Sequence, residues 1–345
     1  MKMTPLPSGE YSGGGNQMIT SKTNLPRFNR AKNPPGMRFQ LRDEKILMAI
    51  YDLGGLVAKR QLKELFWPKN SWRVMEKRLS KLYHNGFLDW PNQEQLRSGP
   101  VPEPVCWLGW RGALWLGSLL GHQINPPRKI NENQMRSIED NLRRQGFHWI
   151  REPRWSLLKH DLAVIDFKIQ VENEVSRSPR FSLENWKFET EFRSDPDVIS
   201  YTTKDRRGIF KQFKKRVLPD AYFEIIDKER QMKGEPHRVR FLLELDRSTH
   251  DNPSFGMGKV APGVAYIKSP VFKSRFGYNS GCWLIVTNGG QRRMKNLMLQ
   301  TKEAAGQDVG LFFFTSINDI EGGKPLTTPI WRQIGKEKPR ALLSL

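Results

Sequence analysis

The residues best placed to do chemistry are two acids at the ends of apolar, strand-like runs. Asp220 follows Pro219 and precedes Ala221-Tyr222-Phe223-Glu224-Ile225-Ile226. Glu244 closes the run Val239-Arg240-Phe241-Leu242-Leu243 and is followed by Leu245-Asp246. Both runs are β-prone, and a loop rich in Lys, Gly, Glu and Pro joins them, which predicts two antiparallel strands. Paired strands bring Asp220 and Glu244 together at one end of a sheet. Two converging carboxylates suit a hard divalent cation, Mg²⁺ or Mn²⁺, which takes oxygen ligands. Asp246 adds a carboxylate able to bind metal or accept a proton. For Asp220 the plain alternative is a turn residue after a proline. For Glu244 an alternative is harder to find, because a carboxylate buried in Leu-Leu-Glu-Leu without partners is costly. Glu172 or Glu191 is a further possible ligand among many nearby acids.

This arrangement resembles the PD-(D/E)XK nuclease site. There the Asp and Glu hold the metal with a backbone carbonyl, and a Lys two residues after the Glu orients or activates water. The metal lowers the pKa of bound water and stabilises charge building on the phosphate. Here Asp246 occupies the lysine position, so a cation must come from elsewhere. Lys259, one helical stretch later, is the nearest substitute; its alternative is a solvated helix lysine. Just before Asp220, residues 204–216 carry seven positive residues with Phe210 and Phe213 interleaved. Arg206, Arg207, Lys211, Lys214 and Lys215 would hold a phosphate backbone against the acids, or else form a solvated loop. Arg292 and Arg293, with Lys295, extend the same track at the start of a later helix. Other motifs fail. His160-Asp161 lacks the further His and Asp ligands of a phosphohydrolase and reads as packing or hydrogen bonding. Phe255-Gly-Met-Gly-Lys259 lacks the glycine and hydroxyl of a phosphate-binding loop. No Ser/His/Asp or Cys/His order suggests a covalent nucleophile, and no His cluster supports a relaxase tyrosine.

Residues 154–320 supply the elements that must position these groups. A helix over 157–171 carries Leu158, Leu162, Ile165 and Ile169 on one face. Strand-like residues 185–192, the Asp220 and Glu244 strands, and an irregular helical stretch over 255–267 follow. Cys282 to Val286 reads as a buried strand, residues 291–305 as a basic helix, and Val309 to Thr315 as a second buried strand. This α-β-β-β-α-β-α-β order predicts an α/β fold, a mixed sheet flanked by helices like the restriction-endonuclease core. Residues 321–345 read as a C-terminal tail.

The N-terminal part has a different texture. Residues 1–37, punctuated by Gly13-Gly14-Gly15 and Pro34-Pro35-Gly36, read as a flexible basic tail. Within 38–121, a first helix is capped by Asp43 and stopped by Gly54-Gly55. A second runs from Lys59 to Phe66, and a third from Ser71 to about Asn85. Trp72, Met75, Leu79 and Leu82 are expected to face the core. Arg73, Lys77, Lys81 and His84 fall on the opposite face, with Arg78 at its edge. Phe87 to Trp90, a loop over 91–104 and Val105 to Leu108 complete the order of a winged helix-turn-helix, with an apolar helix over 111–120 closing it. In such modules the later helix enters the DNA major groove; the alternative is a charged, solvated face. Residues 122–153 form a connector whose helix, 131–145, has a Met135, Ile138 and Leu142 stripe that packs on either domain or on another copy.

Composition agrees with a polyanionic partner. The formal charge is +21 over 345 residues, and spread Lys and Arg favour double-stranded DNA; an acidic membrane or mere solubility is the alternative. A hydrophobic fraction of 37% with 11 Trp and 19 Phe is ample for two cores. The two cysteines suit buried thiols in a reducing cytoplasm. No run reaches membrane-spanning length.

The N-terminal winged-helix order and three later stretches are together similar to the replication-relaxation family of bacterial plasmids and integrated mobile elements; the stretches carry most of the likeness. They are the helix Arg154-Trp-Ser-Leu-Leu-Lys-His-Asp-Leu-Ala-Val164 and Leu218-Pro-Asp-Ala-Tyr-Phe223 with Phe241-Leu-Leu-Glu-Leu-Asp-Arg-Ser-Thr249. The likeness spans about 38–320. It implies mobile-element DNA metabolism (replication, transfer or transposition control) and a C-terminal half like PD-(D/E)XK enzymes. Three functions follow as expectations. The nuclease-like domain is degenerate or partner-dependent and clamps DNA, or it is an active Mg²⁺-dependent endonuclease using Asp220, Glu244 and Lys259. Failing both, it is an adaptor recruiting replication, transposition or defence proteins of the element.

Overall fold

The structure, a computed structural model, describes residues 25–98, 101–123, 131–204, 208–247, 255–321 and 323–344. Arg206 and Arg207, and Ser248-Thr249 of the family motif, lie outside the described residues.

The first three helices of the described residues are α1 (Leu41–Asp52), α2 (Lys59–Phe66) and α3 (Trp72–His84). Asp43 lies inside α1 rather than capping it, and its carboxylate takes the Gln40 N–H at 2.7 Å. Two glycines with positive φ, Gly54 and Gly55, end that helix. A Cβ on Gly55 would lie 2.9 Å from the Ile150 side chain, so the site requires glycine on two counts. Between α1 and α2 a short strand that the sequence pattern did not reveal, β1 (Leu56–Ala58), pairs antiparallel with β3 (Val105–Leu108). β2 (Leu88–Asp89) flanks β3 on its other side, giving the order β1-β3-β2. The intervening loop contains a short helix, α4 (Gln93–Ser98), and α5 (Trp110–Leu119) closes the unit.

The connector helix α6 (Glu132–Arg144) buries Ile138 and Leu142 in the same hydrophobic cluster as Ile46, Leu79 and Val105. Its stripe therefore packs on the N-terminal elements. The long helix α7 (Leu158–Ser176) serves two cores. Leu158, Leu162, Ile165 and Ile169 join the N-terminal cluster, whereas Val164, Phe167, Val171 and Val175 join a second cluster beneath the large sheet. A helix apolar on two faces is shared between two layers rather than laid on one.

The sheet behind α7 has five strands in the order β10-β9-β8-β7-β4. β7 (Ala221–Asp227) pairs antiparallel with both β4 (Phe181–Phe188) and β8 (Arg238–Asp246), and β9 (Cys282–Thr287) and β10 (Phe312–Ser316) add in parallel. The fold is thus mixed α/β, with helices on the sheet's faces. β4 lies four residues earlier than expected, bulged where Asn185 adopts φ 52°, and α8 (Glu189–Ser194) takes up the rest of the predicted strand. Between α8 and β7 the basic segment folds as a two-stranded antiparallel ribbon, β5 (Asp197–Lys204) with β6 (Phe210–Val217). A short α9 (Lys228–Met232) sits in the β7–β8 loop. After β8 come a π-helical turn (Gly256–Val260), α10 (Ala261–Lys268), α11 (Pro270–Phe276), α12 (Gly290–Ala305) and α13 (Ile317–Ile320).

Both presumed tails carry structure. Residues 27–31 lie along α3 and β2: Trp90 donates to the Arg27 carbonyl at 3.0 Å, and Arg30 pairs with Asp89 at 2.6 Å. At the other end, Trp331 is fully buried and donates to the Pro325 carbonyl at 2.6 Å. The Glu174 carboxylate of α7 accepts from the Leu326 and Thr327 amides at 2.7 and 2.9 Å, which ties this segment to the second core.

Candidate active site

Strand alternation decides what faces the site. In β8, Phe241, Leu243 and Leu245 join the α7-side cluster, while Leu242 joins the opposite cluster with Val260 and Tyr266. Glu244 therefore projects on the α10 side. Ala221 pairs with Leu243 in the antiparallel register, so Asp220 stands across from Glu244 just before β7 begins. The backbone holds Asp220 firmly. Its N–H donates to the Leu243 carbonyl at 2.9 Å, its carbonyl accepts from Glu189 N–H at 3.0 Å, and its carboxylate accepts the Leu245 N–H at 2.7 Å. Asp220 and Glu244 are each only 7% exposed.

Two cations answer these carboxylates. Lys259, carried on the π-helical turn, places its ammonium 2.7 Å from the Glu244 carboxylate. His160 of α7 places Nε2 3.1 Å from Asp220. The structure so brings together Asp220, Glu244 and Lys259, separated by up to 39 positions, and adds a histidine that the sequence pattern assigned to packing or hydrogen bonding. The His160 contact has no local signature, because it joins a helix to a strand end 60 residues away. Beyond these, Asp161 pairs with Arg154 at 2.6 Å, and Arg154 also reaches Glu189 at 2.6 Å.

The electrostatics are those of a crowded buried quartet. Burial pushes the Glu244 carboxyl up, to about 7, and Asp220 adds to that push against the pull of Lys259 and His160. Burial also opposes charge on Asp220, but the His160 hydrogen bond and charge, with Lys259, hold it below its ordinary value. For His160 burial favours the neutral ring, yet Asp220 wins and raises it. Lys259 is likewise raised, its burial outweighed by Glu244 and Asp220. One carboxylate is thus firmly ionised while its neighbour titrates near neutrality, the split expected when two acids share a site.

Other expected site residues go elsewhere. Asp246 is bound by Arg293 through two nitrogens, at 2.8 and 2.9 Å, and by Thr287 Oγ1 at 2.9 Å. The expected metal ligand and the expected DNA contact are therefore each other's partners, as befits a carboxylate and a guanidinium that are both largely buried. Glu172 pairs with Lys168 at 3.3 Å and Glu191 with Lys187 at 3.2 Å, outside the quartet. Lys215 lies on the inner face of the ribbon and donates to the Gly258 carbonyl beside Lys259. Burial, and then the Lys259 charge, lower its pKa. Lys211, Lys214 and Arg292 are exposed.

On α3, Met75, Leu79 and Leu82 face the core as expected, but Trp72 is 44% exposed. Arg73 and Lys77 are exposed, and Lys81 is half-buried. Arg78 is committed to the buried Asp43, with Nε 2.7 Å from its carboxylate, and to the Arg38 carbonyl at 2.9 Å. His84 is buried rather than presented with the lysines, and its Nδ1 accepts the Ala31 N–H at 3.1 Å.

The residues fit a hard cation, tested on the donor set itself. Among the described residues no group of three or more His, Cys, Asp and Glu side chains is gathered to hold a metal. Mg²⁺, however, commonly takes one or two carboxylates and completes its shell with water and substrate phosphate. Two buried acids, one of them pushed up to about 7 chiefly by burial and further by its neighbour's charge, are such a pair.

A mixed α/β protein with a buried acid–base centre at one end of its sheet is the class that the fold and site define. The chain belongs to the replication-relaxation family, whose model matches residues 47–277, more than half of its length. Membership points to a role in a plasmid or other mobile element. No curated protein and no solved structure matches the chain significantly. No described helix is long and apolar enough to cross a membrane.

Proposed function

We propose that the protein is a DNA-binding factor of a bacterial mobile element, with a winged helix and a PD-(D/E)XK-like domain. The observation that carries this reading is the Lys259 ammonium 2.7 Å from Glu244, beside an Asp220 fixed on the neighbouring strand. The strand order supports it: antiparallel β4-β7-β8 extended in parallel by β9 after a helical crossover is compatible with a restriction-endonuclease-like core. The net charge of +21 supplies attraction to a phosphate backbone.

Lys259 favours a second reading, in which the site cuts. Asp220 and Glu244 are the residues that would hold Mg²⁺ or Mn²⁺; such a cation, when bound, stabilises charge on the phosphate and makes water a better nucleophile. Lys259 supplies a fixed positive charge at the same point from a separate element, in place of the lysine that Asp246 replaces. His160 holds Asp220 ionised and oriented. Without metal, the same two cations neutralise the acids, which suits a silent clamp.

Incubating the purified chain with plasmid, linear and branched DNA and either metal separates these readings. If the site is live, Asp220→Ala and Glu244→Ala abolish cleavage. Lys259→Ala then lowers it by about a hundredfold or more with binding preserved. Tight binding with every substrate intact selects the clamp, and no DNA binding at all refutes both.

A further inference from the structure

The ribbon β5–β6 has two dissimilar faces. Its inner face carries Asp197, Ile199 and Val217, all buried, together with Tyr201 and Lys215. Ile199 and Val217 pack in the cluster of Val260, Tyr266 and Ile267. Arg275 grips the base of the ribbon through Asp197 at 2.7 Å, and Tyr201 donates to the Met257 carbonyl at 3.3 Å. The ribbon is therefore a braced arm set against the turn that carries Lys259.

Its outer face is exposed along most of its length. The cross-strand pairs there are Val198 with Arg216, Ser200 with Lys214, Thr202 with Gln212 and, at the tip, Lys204 with Phe210; the first six residues are exposed, and Phe210 is 67% exposed. Besides Lys204 they comprise two cations, three uncharged hydrogen-bonding side chains and two apolar residues, with no acid among them. A protein-docking face is expected to centre on contiguous aromatic or aliphatic anchors, whereas Val198 and Phe210 stand at opposite ends of the ribbon with two polar pairs between them. The composition instead matches a nucleic-acid groove, where Gln pairs with adenine edges, Ser and Thr with any base, and Lys or Arg with guanine or phosphate.

We propose that the outer face of β5–β6 enters the major groove of duplex DNA. Lys214 and Arg216 hold phosphate there, while Ser200, Thr202 and Gln212 meet base edges. The dimensions agree. Two strands about 4.8 Å apart fit a groove about 12 Å wide that is known to admit a two-stranded ribbon. Eight residues per strand span about 26 Å at about 3.3 Å each. The proposal rests on the DNA-binding reading above and assigns its point of engagement. Because Lys215 and Tyr201 contact the Lys259 turn, DNA held by the ribbon lies beside the Asp220–Glu244 centre.

The test uses the full chain on duplex DNA, with dimethyl sulfate reporting guanine N7 in the major groove and adenine N3 in the minor groove. Lys214→Ala with Arg216→Ala is expected to lower the slope of log affinity against log salt by about 2, near 0.9 per lost phosphate contact. Ser200→Ala, Thr202→Ala and Gln212→Ala together are expected to leave that slope unchanged and remove guanine N7 protection. All five positions are exposed, and unchanged circular dichroism and melting confirm that the fold is retained. If wild-type protein binds DNA but both variants keep its slope and protection pattern, the ribbon assignment fails and the DNA-binding reading stands. Ribbon-dependent protection confined to adenine N3, or ribbon-dependent binding of single-stranded RNA alone, also overturns it. A wild-type chain that binds no nucleic acid removes the broader reading as well.

Discussion

Replacing Glu244 by Gln tests the electrostatic account of the centre independently of any activity. In the folded protein burial and Asp220 raise this carboxyl from its ordinary 4.5 to about 7, despite Lys259 and His160. A group raised on folding contributes stability fully below its unfolded pKa and loses it as pH climbs through the folded value. For Glu244 the window therefore runs from about pH 4.5 to about pH 7, and stability falls across it. At about 1.4 kcal/mol per pH unit, the rise corresponds to about 3 kcal/mol. Glu244→Gln keeps the shape, cannot ionise, and so lacks this slope. At the acid end of the range Lys259 faces a neutral carboxyl in wild type and a neutral amide in the variant, and its attraction for ionised Glu244 is already contained in the raised value. The assay is urea denaturation of both proteins at half-unit steps from pH 4.5 to 8. Wild type is expected to lose about 3 kcal/mol relative to the variant over that range. A difference that stays flat with pH, or slopes the other way, refutes the proposed sharing of charge between Asp220 and Glu244.

Two further outcomes follow from the same structure. Arg73→Ala with Lys77→Ala removes exposed cations of α3 while Met75, Leu79 and Leu82 stay packed, so duplex affinity and its salt slope should fall, the slope by about 2 in a salt titration; unchanged values end the recognition-helix assignment. Trp331→Ala empties a fully buried site in the C-terminal segment and should cost about 3–5 kcal/mol by denaturant titration; a loss under about 1 kcal/mol would mean that this segment is no part of the core.

What the sequence determined by itself is chiefly what repeats along a short stretch. Apolar, β-prone runs at 221–226 and 239–243 joined by a turn-rich loop were enough to place Asp220 and Glu244 on adjacent antiparallel strands, and the spacing of Met75, Leu79 and Leu82 marked the buried face of α3. Lys259 was readable as a substitute cation because few lysines follow Glu244 closely. The remainder depended on partners distant in the chain. Asp246 looked like a ligand until Arg293, 47 positions later, was found beside it, and His160 became part of the centre only because α7 crosses the end of β7. The basic segment reads as a phosphate-holding track or a solvated loop and not as a ribbon, since charged and apolar residues fall on both of its faces and mask the period of two, and β1 is too short to show any pattern. The assumed tails joined the cores through isolated contacts, Arg30 with Asp89 and Trp331 with Pro325, that have no periodicity to detect. Local periodicity follows from backbone geometry and is written in neighbouring residues. Charge pairing and burial depend on which surfaces meet, and only the packed chain decides that.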